Sequence, residues 1–309
     1  MTYSLKKWDD KDFLRIRDFL AQTLKDNPKT QNWLIDRWNF CRYFAHIMHE
    51  SFEIWPETVG IWEDENHEIV AVVNSEGEIQ SHEAGVAFFQ LASRFEDEFM
   101  NELIDYAEEK IAITAEGITS LSFVLDQNEQ MERLVKSRGY ELRDWKDATS
   151  CMPVTGQLPV NIPDGFRLAD GHELKERAQG MAHGRAFGYC TEEHPGEMMP
   201  ERCYKAMRQA PDYRPELDMA VLDPDGEIAS FTTLWYDGLN RLAVLEPVGT
   251  LPKYTRMGLG RAVIYAGINR AIEMGAEKIY VGTDRPFYRA IGFKPVYVKD
   301  VWLKRWTLA

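Results

Sequence analysis

Positive charge, cysteine pairs and long apolar runs are all scarce in these 309 residues, and each shortage removes a class of protein. Lysine and arginine total 36 against 50 aspartates and glutamates, a formal charge of −14. Phosphate-rich partners need a basic face, so neither nucleic acid nor a membrane is expected as a partner. The same balance is compatible with a cationic small molecule. Cys41, Cys151, Cys190 and Cys203 are scattered, with no Cys-x-x-Cys spacing to suggest a zinc site or a disulfide framework. No apolar run approaches a membrane span. The opening MTYSLKKWDD lacks the apolar centre of a signal peptide, so a cytoplasmic location is expected. The length fits two domains better than one core.

What is present concentrates in residues 242–274. Leu242 to Leu245 read as a strand, and Pro247, Gly249 and Pro252 mark a turn-forming passage after it. Gly258 and Gly260 lead into a helix-period stretch over 261–274, closed by Gly275. A helix start preceded by glycines is an anion site: its first N–H groups are unpaired, and glycine lets a phosphate come close. Arg256 and Arg261 flank the glycines and can add charge-assisted bonds to a diphosphate.

Three phosphate-loop patterns compete for this stretch. A nucleoside-triphosphate loop needs Lys-Ser or Lys-Thr after its glycines, and none follows. A dinucleotide fingerprint needs a third glycine where Val263 stands, directly after a strand, with Asp284 as its only distant support. The third pattern fits. Thr255-Arg-Met-Gly-Leu-Gly260 resembles motif A of the GNAT acyltransferases, Gln/Arg-x-x-Gly-x-Gly/Ala, except that Thr255 stands at its first position. Downstream, a strand over 278–282 precedes Phe287-Tyr-Arg-Ala-Ile-Gly-Phe293, which resembles the family's motif B. The order of these segments carries the resemblance more than the glycines do.

The resemblance implies a mixed α/β fold in which a mostly antiparallel sheet is flanked by helices. It also implies acetyl-CoA as acyl donor and a small-molecule or peptide amine as acceptor. Thr255, Arg256, Met257, Gly258, Leu259, Gly260 and Arg261 would hold the pyrophosphate, and Val248, Gly249 and Thr250 the pantetheine arm or thioester. Tyr288 matches the tyrosine that faces the thioester sulfur and protonates the departing thiolate, the alternative being a tyrosine that only shapes the groove. Glu246 stands where a general-base carboxylate is found in several members, with solvent-facing strand end as the alternative and Asp284 as a second candidate. Two other classes stay open: a non-catalytic CoA-binding sensor and a dinucleotide-dependent oxidoreductase. A monomer or homodimer is expected.

Taken in order, the first half reads as helices over 9–24 and 32–50, a strand pair over 58–73 and a strand over 85–90. A helix over 95–111, a strand over 121–125 and a helix ended by Gly139 follow. The aromatics of 33–44 suit packing or a lid, and His46 and His49 suit a structural pair better than a metal site. The second half runs through the same order. Glu227-Ile228 echoes Glu68-Ile69, and Arg289 to Phe293 echoes Val135 to Tyr140. Two GNAT-like folds in tandem are therefore expected, at residues 1–155 and 156–309, an arrangement that also resembles mycothiol-synthase-like proteins in outline. The first copy has no glycine over 91–100 and puts Glu96, Asp97 and Glu98 at a helix start, where they repel a pyrophosphate. It is expected to lack CoA and to serve as support or as a cleft wall. By resemblance, residues 170–214 cover the acceptor, with Arg185, Tyr189, Glu192, Glu193, His194 and Tyr204 as lining candidates.

Overall fold

Helical spacing does its work first at Phe13, Ile16 and Leu20, which α1 (Asp12–Asp26) buries along one face. The computed structural model describes residues 3–76, 84–189 and 201–307. They form two compact units. Unit 1 comprises residues 1–41, 45–148 and 296–309, and unit 2 comprises residues 42–44 and 149–295.

In unit 1, β1 (Ser4–Lys7) and α1 lead to the short helices α2 (Ile35–Phe40), α3 (His46–Met48) and α4 (Ile54–Glu57). β2 (Gly60–Glu63), β3 (Ile69–Ser75), β4 (Gly85–Leu91), α5 (Asp97–Lys110), β5 (Ile113–Ala115), β6 (Ile118–Asp126) and α6 (Glu129–Ser137) follow. The expected single helix over 32–50 is broken: a π-helical turn at Cys41–Ala45 interrupts it. Trp38 and Trp55 are fully buried with ring centroids 5.4 Å apart, and the His46 ring bonds to the Cys41 carbonyl at 2.9 Å. β1 to β4 pair antiparallel in sequence, β4 pairs parallel with β6, and β6 pairs antiparallel with the last strand, β13 (Lys294–Thr307). Phe99, Leu103, Ile104 and Ala107 of α5 pack on Trp62, Val73 and Phe123 of that sheet. Each large side chain sealed this way contributes about 1.5–3 kcal/mol of burial.

Unit 2 repeats the plan. The end of β7 (Glu141–Pro153) belongs here, followed by β8 (Arg167–Asp170), α7 (Glu176–Phe187), α8 (Glu201–Met207), β9 (Asp218–Leu222), β10 (Ile228–Asp237) and β11 (Leu242–Thr250). α9 (Leu259–Glu273), β12 (Lys278–Val281) and α10 (Pro286–Ala290) complete it. β8 to β11 pair antiparallel in sequence, β11 pairs parallel with β12, and β12 pairs antiparallel with Ser150–Pro153 of β7. Within each unit the strands thus pair mostly antiparallel, with a parallel pair at the same place. Val263, Ile268 and Ala271 of α9 cover Leu234, Ala243 and Ile279. The closing strand is exchanged: β7 follows α6 yet ends in unit 2, and β13 follows α10 yet lies largely in unit 1. A cut at 155/156 therefore does not reproduce the compact units.

Candidate active site

Two irregularities of β11 create the site. Its register with β10 slips between Thr232↔Val248 and Leu234↔Leu245, so β11 carries an extra residue there. That stretch contains Pro247, which has no N–H to give a ladder. On the opposite edge, β11 pairs with β12 only from Leu242↔Lys278 to Val244↔Tyr280. Beyond Val244 the strands part. Leu251 N–H bonds back to the Ala229 carbonyl at 3.0 Å, so by strand alternation the main-chain groups of Val248 and Thr250 point into the gap.

A groove of about 660 Å³ fills the gap. Ten of the twelve sequence candidates line it: Val248, Gly249, Thr250, Thr255, Arg256, Gly258, Leu259, Gly260, Arg261 and Tyr288. Met257 and Glu246 do not. Met257 is exposed at the turn, and Glu246 is half-buried with its carbonyl taken by Trp235 Nε1 at 2.7 Å. Arg285, Tyr254, Phe287 and Ile291 also line the groove and were not anticipated. Phe287 and Ile291 stand within the second motif, whereas Tyr254 and Arg285 are signalled only by standing next to the motifs.

Gly258 caps α9 at φ +82°, and a β-carbon there would meet nothing within 4 Å. A side chain at 258 would strain the backbone and project into open space. Arg256 is also left-handed, at φ 64°, which costs a residue with a side chain on the order of 1–2 kcal/mol. Left-handed residues so spaced before a helix curl the main chain into a concavity of N–H groups. The first intrahelical bond is Ala262 N–H to Gly258 at 3.0 Å, so the N–H groups of Leu259, Gly260 and Arg261 precede it. No acidic residue sits in that first turn. Gly260 lets the helix start approach the strand: a β-carbon on it would lie 3.0 Å from Thr250 Oγ1.

Arg256, Arg261 and Arg285 form no ion pair among the described residues, although carboxylates outnumber bases in the chain. Neighbouring Arg289 is paired, 2.6 Å from Asp284. Asp284 is thus ion-paired and is not in the groove wall. Thr255 turns its hydroxyl back to the Pro252 carbonyl at 3.0 Å, so its side chain fastens the turn. Tyr254 is fastened too, through its hydroxyl to Asp223. Burial works against the Asp223 carboxylate, yet that hydroxyl and the N–H groups of Glu227 and Asp225 hold its pKa below the usual range.

Burial pushes the Tyr288 phenol up to about 12; Arg285 opposes the shift and the Glu246 carboxylate adds to it. Tyr288 therefore keeps its proton throughout the working pH range. Complete transfer to a thiolate of ordinary pKa is uphill by on the order of 5 kcal/mol, which makes hydrogen-bond donation the better description of what it can do. The Coulombic link puts Glu246 within electrostatic reach of the phenol, though not in the groove wall.

The acceptor candidates divide. Tyr189 is exposed and its ring stacks on Phe187. Arg185 is half-buried, 4.0 Å from Glu227. Tyr204 is buried, with its hydroxyl 2.9 Å from His183 Nδ1, so it belongs to the core and not to a cleft. Glu192, Glu193 and His194 lie outside the described residues.

Residues 185–293 match the sequence model of the family described as "Acetyltransferase (GNAT) family". They form a GNAT-family domain. The match covers β9 to α10, and with them the strand gap, the glycine turn and Tyr288. Solved structures extend the likeness to the whole chain. A tandem GNAT protein from the clavulanic acid biosynthesis pathway aligns over 98% of each chain at a TM-score of 0.64 and 13% identity. A GCN5-related N-acetyltransferase from Sphaerobacter thermophilus aligns over 99% of this chain and 96% of its own, at 0.63 and 14%. Saccharomyces cerevisiae N-myristoyltransferase, a structure with bound myristoyl-CoA, reaches 0.55 at 11% identity, over 97% of this chain and 78% of its own. These identities bear on fold alone. The fold is that of tandem GNAT proteins, with the family match in the second copy. No curated protein matches the sequence.

Proposed function

We propose that the GNAT domain moves an acetyl group from acetyl-CoA to a primary amine by direct attack. The observation that carries this is the parting of β11 from β12 at Val244, beside a glycine turn and three arginines without acidic partners among the described residues. In this reading the N–H groups of Leu259 to Arg261, with Arg256 and Arg261, hold the pyrophosphate. The main-chain groups of Val248 and Thr250 bond the amides of the pantetheine arm, as a neighbouring strand would. Acetyl-CoA supplies an activated acyl carbon and a thiolate leaving group. The chain's own residues position the two reactants and handle the protons.

Glu246 accepts a proton from the incoming ammonium, directly or through water, and frees the nitrogen lone pair. The nitrogen attacks the thioester carbon to form the C–N bond, and collapse of the tetrahedral adduct breaks the C–S bond. The surplus proton on nitrogen passes to the departing sulfur through water while Tyr288 O–H stabilises that sulfur by hydrogen bonding. Unit 1 has no counterpart of the glycine turn and takes no part in donor binding. The protein is read as cytoplasmic, a monomer or homodimer, with no nucleic-acid partner.

Thiol release from acetyl-CoA, followed with a thiol-reactive dye across a panel of amines, tests the proposal. Amine-dependent release is the expected result. Tight CoA binding without release under any amine identifies a sensor instead. No CoA binding at all, with thermal stabilisation by a nicotinamide dinucleotide, overturns the reading in favour of an oxidoreductase.

A further inference from the structure

The open edge of β11 has a closed counterpart in unit 1. There β4 pairs with β6 only from Gly85↔Leu121 to Ala87↔Phe123. Beyond that point Asn32 Nδ2 donates to the Leu91 carbonyl at 3.0 Å, and Leu91 N–H donates to Asn32 Oδ1 at 3.0 Å. The groove of unit 2 depends instead on a turn that must keep its shape beside an open edge. Between the buried Leu251 and Leu259, Pro252, Lys253, Thr255, Arg256, Met257 and Gly258 are exposed, and Tyr254 alone is half-buried. Arg256 is left-handed at φ 64°, and the Thr255 hydroxyl bonds back to Pro252 inside the turn. A strained, exposed segment keeps one shape only when its surroundings over-determine it.

Tyr254 supplies that constraint. Its hydroxyl donates to Asp223 Oδ2. Asp223 is itself fixed in the turn between β9 and β10, where its Oδ1 accepts the N–H groups of Asp225 at 3.0 Å and Glu227 at 2.8 Å. Its own N–H donates to the Glu227 carbonyl at 2.9 Å, and its carbonyl accepts from Gly226 N–H at 3.0 Å. Phe166 meets the Tyr254 ring edge-on with centroids 5.8 Å apart. Lys253 Nζ lies 4.6 Å from the ring centroid and 3.8 Å from Asp223 Oδ2. Burial and the Asp223 carboxylate raise the Tyr254 phenol above its ordinary value, so the proton stays on Tyr254. Tyr254 lines the groove, whereas Asp223 is buried and is not in its wall.

We infer that Asp223 and Tyr254 are a positioning pair for the coenzyme. Asp223 acts through the Tyr254 hydroxyl, and the hydroxyl holds the turn over 255–258 so that Arg256 and the N–H groups of Leu259 to Arg261 meet the pyrophosphate together. This rests on the reading of the groove as a CoA site. Without the bond, the exposed turn samples shapes in which those donors no longer converge. Affinity then falls with the fraction of molecules whose turn is competent. The ring's part in the groove wall is separable from the hydroxyl's, because phenylalanine keeps the one and loses the other.

Calorimetric titration of the full chain with CoA tests this. Tyr254→Phe should bind about ten-fold more weakly than the wild type, with faster amide exchange at residues 255–259 and unchanged exchange at 263–271. Asp223→Ala should match it, and the double variant should be no weaker than either single one, because the same bond is lost in all three. Asp223→Asn, whose carboxamide still bonds the hydroxyl, should stay within about three-fold of the wild type. A Tyr254→Phe affinity within about two-fold of the wild type overturns the inference. So does a double-variant loss equal to the product of the single losses, or an Asp223→Asn as weak as Asp223→Ala. Tyr254→Phe decides alone if Asp223→Ala does not fold. A wild type that binds no CoA strikes the reading of the groove and the pair with it, whereas wild-type binding with an unaltered Tyr254→Phe strikes the pair only.

Discussion

The two strand gaps have the same origin and opposite contents. In both units the parallel pair parts after three paired residues and leaves a strand edge facing a cavity. In unit 2 that edge faces a turn with Gly258 and Gly260 and a helix start free of acid. In unit 1 Asn32 covers the edge, and Asp97 and Glu98 occupy the helix start. The fold, then, supplies the opening, and a few side chains decide whether it is available to an anionic, amide-bearing ligand. Site chemistry is separable from architecture.

The largest expected effect comes from making the second gap resemble the first. Gly258→Glu should weaken acetyl-CoA binding at least ~100-fold, through backbone strain and a carboxylate at the phosphate position, the second term alone amounting to several kcal/mol. Because nothing lies near that β-carbon, the melting temperature should stay within a few degrees. Tyr288→Phe should lower turnover by ~100-fold while leaving acetyl-CoA affinity within about two-fold. An unchanged rate removes the phenol from the chemistry. Opening the first gap, by Asn32→Ala, should cost about 1–3 kcal/mol in a urea melt, because Leu91 loses both partners. CoA titration in that variant should be unaltered.

A separate effect is a pH slope. Burial lowers the His183 pKa to about 3, so the folded ring is neutral where the unfolded one is protonated. The stability His183 confers is complete above pH about 6.5 and is lost as pH falls toward 3, by up to ~1.4 kcal/mol per pH unit. Urea melts of His183→Asn between pH 4 and 7 should show a flatter dependence than the wild type. Equal slopes would mean the ring is protonated in the fold.

Much of this was legible in the sequence, for a physical reason. The glycine turn and Phe287 to Phe293 carry backbone requirements that few residue types meet, and they appear as motifs. The strand order follows from apolar runs separated by turn residues, repeated in both halves. Other features depend on contacts that a local pattern does not encode. The break at Cys41–Ala45 is an example, because helical spacing runs through residues 32–50 without marking it. Tyr204 looked like a pocket tyrosine and instead serves the core beside His183. The exchange of β7 and β13 joins segments from opposite halves of the chain. Asn32 acts on Leu91 across 59 positions, and no motif announces such a bond. Arg285 lines the groove from the residue before α10, outside both motifs.

Amide hydrogen exchange with and without acetyl-CoA tests the contrast most directly, because it reads both gaps in one sample. Exchange at residues 256–261 should slow markedly on adding acetyl-CoA, while residues 89–98 stay as they were. Unchanged exchange at 256–261, or protection appearing at 89–98, would contradict the account.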